Sequence, residues 1–191
     1  MSRLGLFGYG SLVLHESASM TLGRPAGELR PVRLHDWRRR FSQRRDNLTC
    51  EKTFECDGGW RPEWILGLNV EEGEDEAGPV NGVVIELTEA ELDRLDIREI
   101  RYDRVDVTAS VEGEGLPDRI VTYKAKPFHL ASEPPDDSVI LETYASAVEA
   151  GFLGLGEGQL DQYLATTPYP VERVAATLVI DRIPDGNPRA W

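Results

Sequence analysis

Leu6-Phe7-Gly8-Tyr9-Gly10-Ser11-Leu12 is the stretch on which the reading of this chain turns. Apolar residues enter a strand, glycines flank Tyr9, and Ser11 and Leu12 lead into a helix expected over 12–20. Glycine admits backbone conformations that other residues avoid and lets a ligand approach the main chain. A strand that turns sharply into a helix leaves backbone N–H groups without partners, near the positive end of the helix dipole. Such a spot suits a phosphate or a carboxylate. A turn that needs glycine only for packing accounts for the spacing equally well. The stretch has no Gly-Lys-Ser/Thr for a Walker loop. Val13 stands where the dinucleotide fingerprint needs its third glycine, and Ser11 lacks the second glycine of a nucleophile elbow.

Outward from this stretch, residues 31–45 read as one or two strands, 46–61 as a polar loop with the character of a lid, and 64–70 and 80–87 as strands. Thr88 and Glu91 form a capping box ahead of Leu92 and Leu95, so a helix runs toward Arg98 and ends before Tyr102. Strands follow over 102–110 and 120–125. A helix capped by Asp137 or Ser138 carries Ile140, Leu141, Tyr144, Val148 and Phe152. One or two helical turns follow over 160–164, then a strand over 171–180, and the tail from Pro184 to Trp191 is irregular. Strands outnumber helices. The expected class is α+β, a sheet curled into a small mixed barrel with helices outside, in one domain over 1–191.

A net charge of −13 argues against nucleic-acid partners, which need their phosphates neutralised. The exception is the run Arg38-Arg39-Arg40 with Arg44 and Arg45. Alternation places Trp37, Arg39 and Phe41 on one strand face and Arg38, Arg40 and Ser42 on the other, and a solvated face balancing Glu71, Glu72, Glu74, Asp75 and Glu76 is the favoured reading. No apolar run approaches the ~20 residues that span a bilayer, and no signal segment precedes the first strand, so a cytoplasmic location is expected. Cys50 and Cys56 have no zinc-like companions and are expected to be free thiols.

Glu99 is the leading candidate for chemistry. It ends the Thr88 helix, flanked by Ile97 and Ile100; the negative end of the dipole and an apolar setting would raise its pKa toward values useful for proton transfer. A surface ion pair with Arg98 or Arg101 accounts for the same residues. Tyr123 is the second candidate, with a hydroxyl that reaches a ligand from a barrel wall, against the commoner role of a core aromatic. His15, His35 and His129 lack metal spacing, and nothing nominates a histidine partner for Ser11 in an acyl hydrolase.

These pieces, in this order, resemble the γ-glutamylcyclotransferase-like family, which includes the AIG2-like proteins. The opening Phe7-Gly8-Tyr9-Gly10-Ser11-Leu12 is similar to its substrate loop, and Val32 to Phe41 to a second block. The segments 81–87 and 95–99 are similar to its strand, helix and glutamate. Thr122-Tyr123, Pro134-Pro135, and Tyr144 followed by Gly151 are similar to its later part. The resemblance runs from about residue 4 to about residue 155. It implies a small mixed barrel with flanking helices, and release of a γ-glutamyl group as 5-oxoproline without metal or organic cofactor. It also implies Glu99 as general acid/base, and Gly8, Tyr9, Gly10, Ser11, Leu12 and Tyr123 as substrate-binding residues. The implied partner is a small γ-glutamyl molecule, with no nucleic acid and no membrane; a homodimer is compatible with the chain but not specified by it. Ile100-Arg101-Tyr102 is short where the glutathione-specific branch carries longer glycine-containing segments, and the insert 46–60 has no counterpart in the family. A non-catalytic binding module of the same fold is the alternative reading.

Overall fold

The computed structural model describes residues 2–73, 76–187 and 189. Glu74 and Asp75, read above as acidic neighbours, and Pro188, Ala190 and Trp191 of the tail lie outside the described residues. In chain order the elements are β1 (Leu4–Gly8), a 3-10 turn (Ser11–Val13), α1 (His15–Leu22), β2 (Arg30–Leu34), β3 (Trp37–Asp46), β4 (Lys52–Cys56), β5 (Trp64–Glu72), β6 (Val80–Leu87) and α2 (Glu89–Arg98). They continue with β7 (Tyr102–Asp106), β8 (Val111–Glu112), β9 (Arg119–Ala125), β10 (Ser138–Leu141), α3 (Glu142–Gly154), α4 (Gln159–Thr166), β11 (Arg173–Val174) and β12 (Ala176–Asp181).

Six strands in the order β7-β9-β1-β6-β2-β8 form a curled half-barrel, faced by a sheet in the order β11-β10-β5-β3; β12 and β4 pair separately. β1 runs antiparallel to β6, with Leu4 opposite Leu87 and Gly8 opposite Val83, and parallel to β9, with Leu6 opposite Val121. All of β1 is buried, which suits a strand covered on both faces. This is the α+β barrel with outer helices that the strand-rich order predicts. No helix among the described residues is long and apolar enough to cross a membrane.

α2 sets the position of Glu99. The Thr88–Glu91 capping box forms in full, and Leu92 and Leu95 are each buried against the core. β6 ends beside the start of β1, so α2 sets out from that end. At 1.5 Å per residue its ten residues span about 15 Å, close to the length of the five-residue β1, which returns the chain to the exit of that strand.

Several local expectations differ from what forms. The helix expected over 12–20 is split: after the 3-10 turn, Leu14 is extended (φ −84°, ψ 119°) and α1 begins at His15. The polar loop at 46–61 is no lid, because it contains β4, which pairs antiparallel with β12 from Cys56–Ala176 to Lys52–Asp181. The helix expected from Asp137 or Ser138 begins at Glu142. Val139, Ile140 and Leu141 are buried as β10, paired with β5 and β11, and Asp137 has φ 54° instead of capping. Trp37, Arg39 and Phe41 share a face that is buried, with Arg39 0% exposed, while Arg40 is exposed and the half-buried Arg38 pairs with Glu71 at 3.5 Å on the other face, as expected of a solvated face balanced by acids.

Gly151 lets α3 lie directly against the turn after β1. A Cβ there would stand 2.7 Å from Val13 Cγ2 and 2.8 Å from the Leu14 nitrogen. Gly151→Ala is expected to push α3 from the turn at a cost of about 1–3 kcal/mol, read as a lower denaturation midpoint; an unchanged midpoint would mean the contact has room to give.

Candidate active site

The turn, the end of α2 and the end of β9 converge on one cavity of about 60 Å³. Its lining brings together Gly8, Tyr9, Gly10, Ser11, Leu12, Glu99 and Tyr123, every site residue expected from the sequence. Leu6, Phe7, Leu68, Tyr102 and Tyr144 complete it. The first bond of the 3-10 turn runs from the Val13 N–H to the Gly10 carbonyl, so the N–H groups of Ser11 and Leu12 lie ahead of the bonded turn.

Glu99 caps the C-terminus of α2. Its N–H donates to the Leu95 carbonyl at 2.8 Å and its own carbonyl accepts from Tyr102 N–H at 2.8 Å. The carboxylate Oε1 accepts from Arg98 Nη1 at 2.8 Å, and Arg98 Nη2 donates to Ser11 Oγ at 3.4 Å. Thus a single guanidinium bridges the acid and the turn. The expected pairing with Arg98 exists, but not at the surface: the side chains are 5% and 19% exposed. The apolar setting does not form, because Ile97 and Ile100 face solvent. Among the residues lining the cavity there is no histidine, and the partner the Ser11 hydroxyl has there is the Arg98 guanidinium.

Four phenols surround the acid. Tyr9 Oη donates to the Tyr123 carbonyl at 2.6 Å, Tyr102 Oη to the Leu68 carbonyl at 2.8 Å, and Tyr123 Oη to Asp96 Oδ1 at 2.6 Å. Tyr144 Oη stands 3.1 Å from where a Cβ on Gly10 would be, so that glycine makes room for it. Burial raises the pKa of all four; the Glu99 charge adds to it in each, and hydrogen bonding to Asp96 adds to it at Tyr123. They are neutral phenols at working pH, whose hydroxyls hydrogen-bond without adding charge. Tyr123 is therefore tied to α2 through Asp96, where the sequence suggested a hydroxyl directed at ligand. Tyr102 and Tyr144 are site residues that the sequence does not single out. Both reach the cavity through contacts distant in sequence, and only their place in the family-like segments could draw notice.

Behind the turn, Arg39 donates to the Tyr9 carbonyl (3.2 Å), the Asn81 carbonyl (2.8 Å) and Oδ1 (2.9 Å), Thr167 Oγ1 (2.7 Å) and Thr166 Oγ1 (3.2 Å). Its guanidinium lies 4.8 Å from the Phe152 ring centroid and 4.6 Å from that of Tyr163. Burial pushes its pKa down to about 10, against the support of Tyr163, Tyr144 and Tyr9, so it stays charged at neutral pH.

Beyond Glu99, Arg101 Nη2 donates to both oxygens of Glu51, at 2.9 and 2.7 Å, and Arg189 also pairs with Glu51. Burial opposes ionisation of Glu51, but the bonds from Arg101, its own backbone and Arg189 prevail and bring its pKa to about 2.

A sequence-family match covers residues 6–144, to the family described as gamma-glutamyl cyclotransferase, AIG2-like. The chain belongs to this family. Members are cyclotransferase-like enzymes, and solved structures agree on the fold. One described as a gamma-glutamyl cyclotransferase has 18% identity and a TM-score of 0.61, covering 88% of this chain and 89% of its own. The human uncharacterized protein loc79017 has 17% identity and a TM-score of 0.62, over 92% and 94%. YkqA from Bacillus subtilis has 16% identity and a TM-score of 0.55; the match covers 85% of this chain and 53% of YkqA. Among curated proteins, no sequence matches the chain. At these identities the structures speak for the fold alone, and membership of the family rests on the family match.

Replacing Arg39 with Leu is expected to destabilise the fold by about 3 kcal/mol or more, since buried acceptors lose their donor and the aromatic faces their cation; urea unfolding measures it. Glu51 should make stability acid-sensitive. Its folded pKa lies below the ordinary 4.5, so its contribution is full above about pH 4.5 and is lost as pH falls toward 2. Glu51→Gln should flatten the melting-temperature profile across that window, and a profile identical to wild type would refute the assignment.

Proposed function

We propose that the chain is a γ-glutamylcyclotransferase-type enzyme that releases 5-oxoproline from a γ-glutamyl amine or peptide. The observation that supports this most is the meeting of one carboxylate, Glu99, with a turn of open main-chain N–H groups in a cavity walled by neutral phenols.

In this reading, the backbone amides from Gly8 to Leu12 hold the substrate α-carboxylate or polarise its γ-carbonyl. Glu99 takes a proton from the α-ammonium. The freed amine attacks the γ-carbonyl carbon, a C–N bond closes the five-membered ring, and the bond to the departing nitrogen breaks. Glu99 returns the proton to that nitrogen and takes the second proton that the ring nitrogen loses, which the departing amine carries away as its ammonium, so atoms and charge balance. Attack within one molecule gains most from orientation, where effective molarities reach ~10⁵–10⁸ M in favourable systems. Arg98 fixes the direction of the Glu99 carboxylate relative to the turn. Tyr123 forms the wall against which the glutamyl chain folds back, its hydroxyl held by Asp96.

The test is a screen of γ-glutamyl amino acids and γ-glutamylamines for 5-oxoproline, with Glu99→Gln beside the parent. Glu99→Gln should lower kcat by about 10²- to 10⁴-fold with a smaller change in KM. Parental turnover in that variant would remove Glu99 from the mechanism. Binding of γ-glutamyl compounds with no turnover by the parent would instead indicate the binding module.

A further inference from the structure

Five residues that carry a hydroxyl line the cavity: Tyr9, Ser11, Tyr102, Tyr123 and Tyr144. Three of them already give their hydrogen to the protein, Tyr9 to the Tyr123 carbonyl, Tyr102 to the Leu68 carbonyl and Tyr123 to Asp96. Ser11 and Tyr144 donate to no acceptor among the described residues. Of these two, Ser11 is the one joined to the acid. Arg98 Nη2 donates to Ser11 Oγ at 3.4 Å, from the same guanidinium whose Nη1 donates to Glu99 Oε1 at 2.8 Å. A guanidinium has donors only, so Ser11 Oγ is the acceptor in that bond and its single hydrogen is directed elsewhere. The bond also polarises the hydroxyl and strengthens it as a donor. Glu99 Oε2 accepts from none of the described residues. Arg98 thus leaves one open acceptor, Glu99 Oε2, and one open donor, the Ser11 O–H, both on residues that line the cavity. Arg98 itself is 5% exposed and is not among the lining residues, so it acts through these two.

The reaction says what the donor meets. Glu99 serves the attacking nitrogen and the departing one, and during the exchange both are bonded to the γ-carbon. The remaining polar atom on that carbon is its oxygen, so a donor tethered to the same guanidinium as the acid is within reach of it. We propose that the Ser11 hydroxyl donates to the substrate's γ-carbonyl oxygen, with Arg98 as the positioning residue that holds it there. The inference rests on the cyclotransferase reading and adds the side chain that receives the developing charge. As the α-amine attacks, the carbonyl π pair moves onto oxygen, and Ser11 hydrogen-bonds that oxygen while keeping its proton. When the pair returns, the bond to the departing nitrogen breaks and Ser11 is unchanged. Ser11 is therefore a donor beside the main-chain N–H groups of the turn, and not a nucleophile.

The test follows 5-oxoproline release by the full chain, with the γ-glutamyl compound that the parent turns over fastest. Ser11→Ala should lower kcat about 10²-fold and leave KM within about threefold, because the contact strengthens in the transition state. In an Arg98→Met background the same change should cost less than about tenfold, since the hydroxyl is no longer held. Comparison within each background cancels general damage to the fold. Arg98→Lys, which keeps the charge but cannot bridge two groups in the same way, replaces Arg98→Met if the latter does not fold. Parental kcat in Ser11→Ala, a rise in KM alone, equal losses in the two backgrounds, or a γ-glutamyl adduct on Ser11 seen by mass spectrometry would overturn the proposal. If the parent turns over no γ-glutamyl compound, the cyclotransferase reading fails by itself, and calorimetry still decides the contact. 5-Oxoproline carries the same carbonyl oxygen, and cyclopentanecarboxylate has the ring and the carboxylate without it. Binding of 5-oxoproline weakened about five- to tenfold in Ser11→Ala, with cyclopentanecarboxylate unaffected, supports the contact. Parental affinity in the variant, equal losses for both ligands, or no binding of 5-oxoproline by the parent overturns it.

Discussion

A buried guanidinium bonded to neutral oxygens holds this structure together. Arg39 carries its charge into the interior and meets carbonyls, hydroxyls and an amide oxygen, beside the stacked rings of Phe152 and Tyr163. Burying a lone charge costs several kcal/mol unless dipoles and hydrogen bonds replace its water. The replacement here fixes positions far apart in the chain. β3 supplies the cation, β6 supplies Asn81, the residues at and after the end of α4 supply Thr166 and Thr167, and the turn after β1 supplies the Tyr9 carbonyl. Asn81 in turn donates to the Gln159 carbonyl at the start of α4. The glycine turn is therefore braced from the core on one side while its other side faces the cavity.

The cavity lies where the sheets fail to join. β5 pairs with β3 along one edge, but with β10 only at Trp64 and Ile65. Further along, side chains complete the free edge. Tyr102 donates to the Leu68 carbonyl, while the hydroxyls of Tyr144 and Tyr9 stand near the Leu68 and Val70 backbone. Asn69 Oδ1 accepts from the Ala125 N–H of β9 at 2.7 Å, closing the same seam. Backbone groups at such an edge must find partners. The phenols at this edge are also the cavity walls, so sheet closure and site construction are one arrangement.

This explains which parts are legible in the sequence. The capping box, the glycine turn and the position of Glu99 are local features, and each is written within a few residues. The parallel pairing of β1 with β9 cannot be read locally, though it sets Tyr123 level with the exit of β1. Arg39 misleads because a charged residue on a strand ordinarily faces water, and the oxygens that receive it lie forty residues or more further on, apart from Tyr9. Ile97 and Ile100 mislead in the opposite sense: apolar in sequence, they point outward, and Arg98 is the neighbour that touches the acid. β10 reads as the start of a helix because a short apolar run does not declare its period.

β4 and β12 form a sheet of their own, yet their paired residues stand about 120 residues or more apart in the chain. During synthesis the insert therefore waits, unpaired, until the strands of the barrel have emerged. The barrel and its turn can settle first; the flank bearing Glu51 gains its partner strand last, together with Arg189. Assembly thus proceeds outward from the centre of the barrel to the rim, and a nascent chain would own the cavity before it owned the wall beside it.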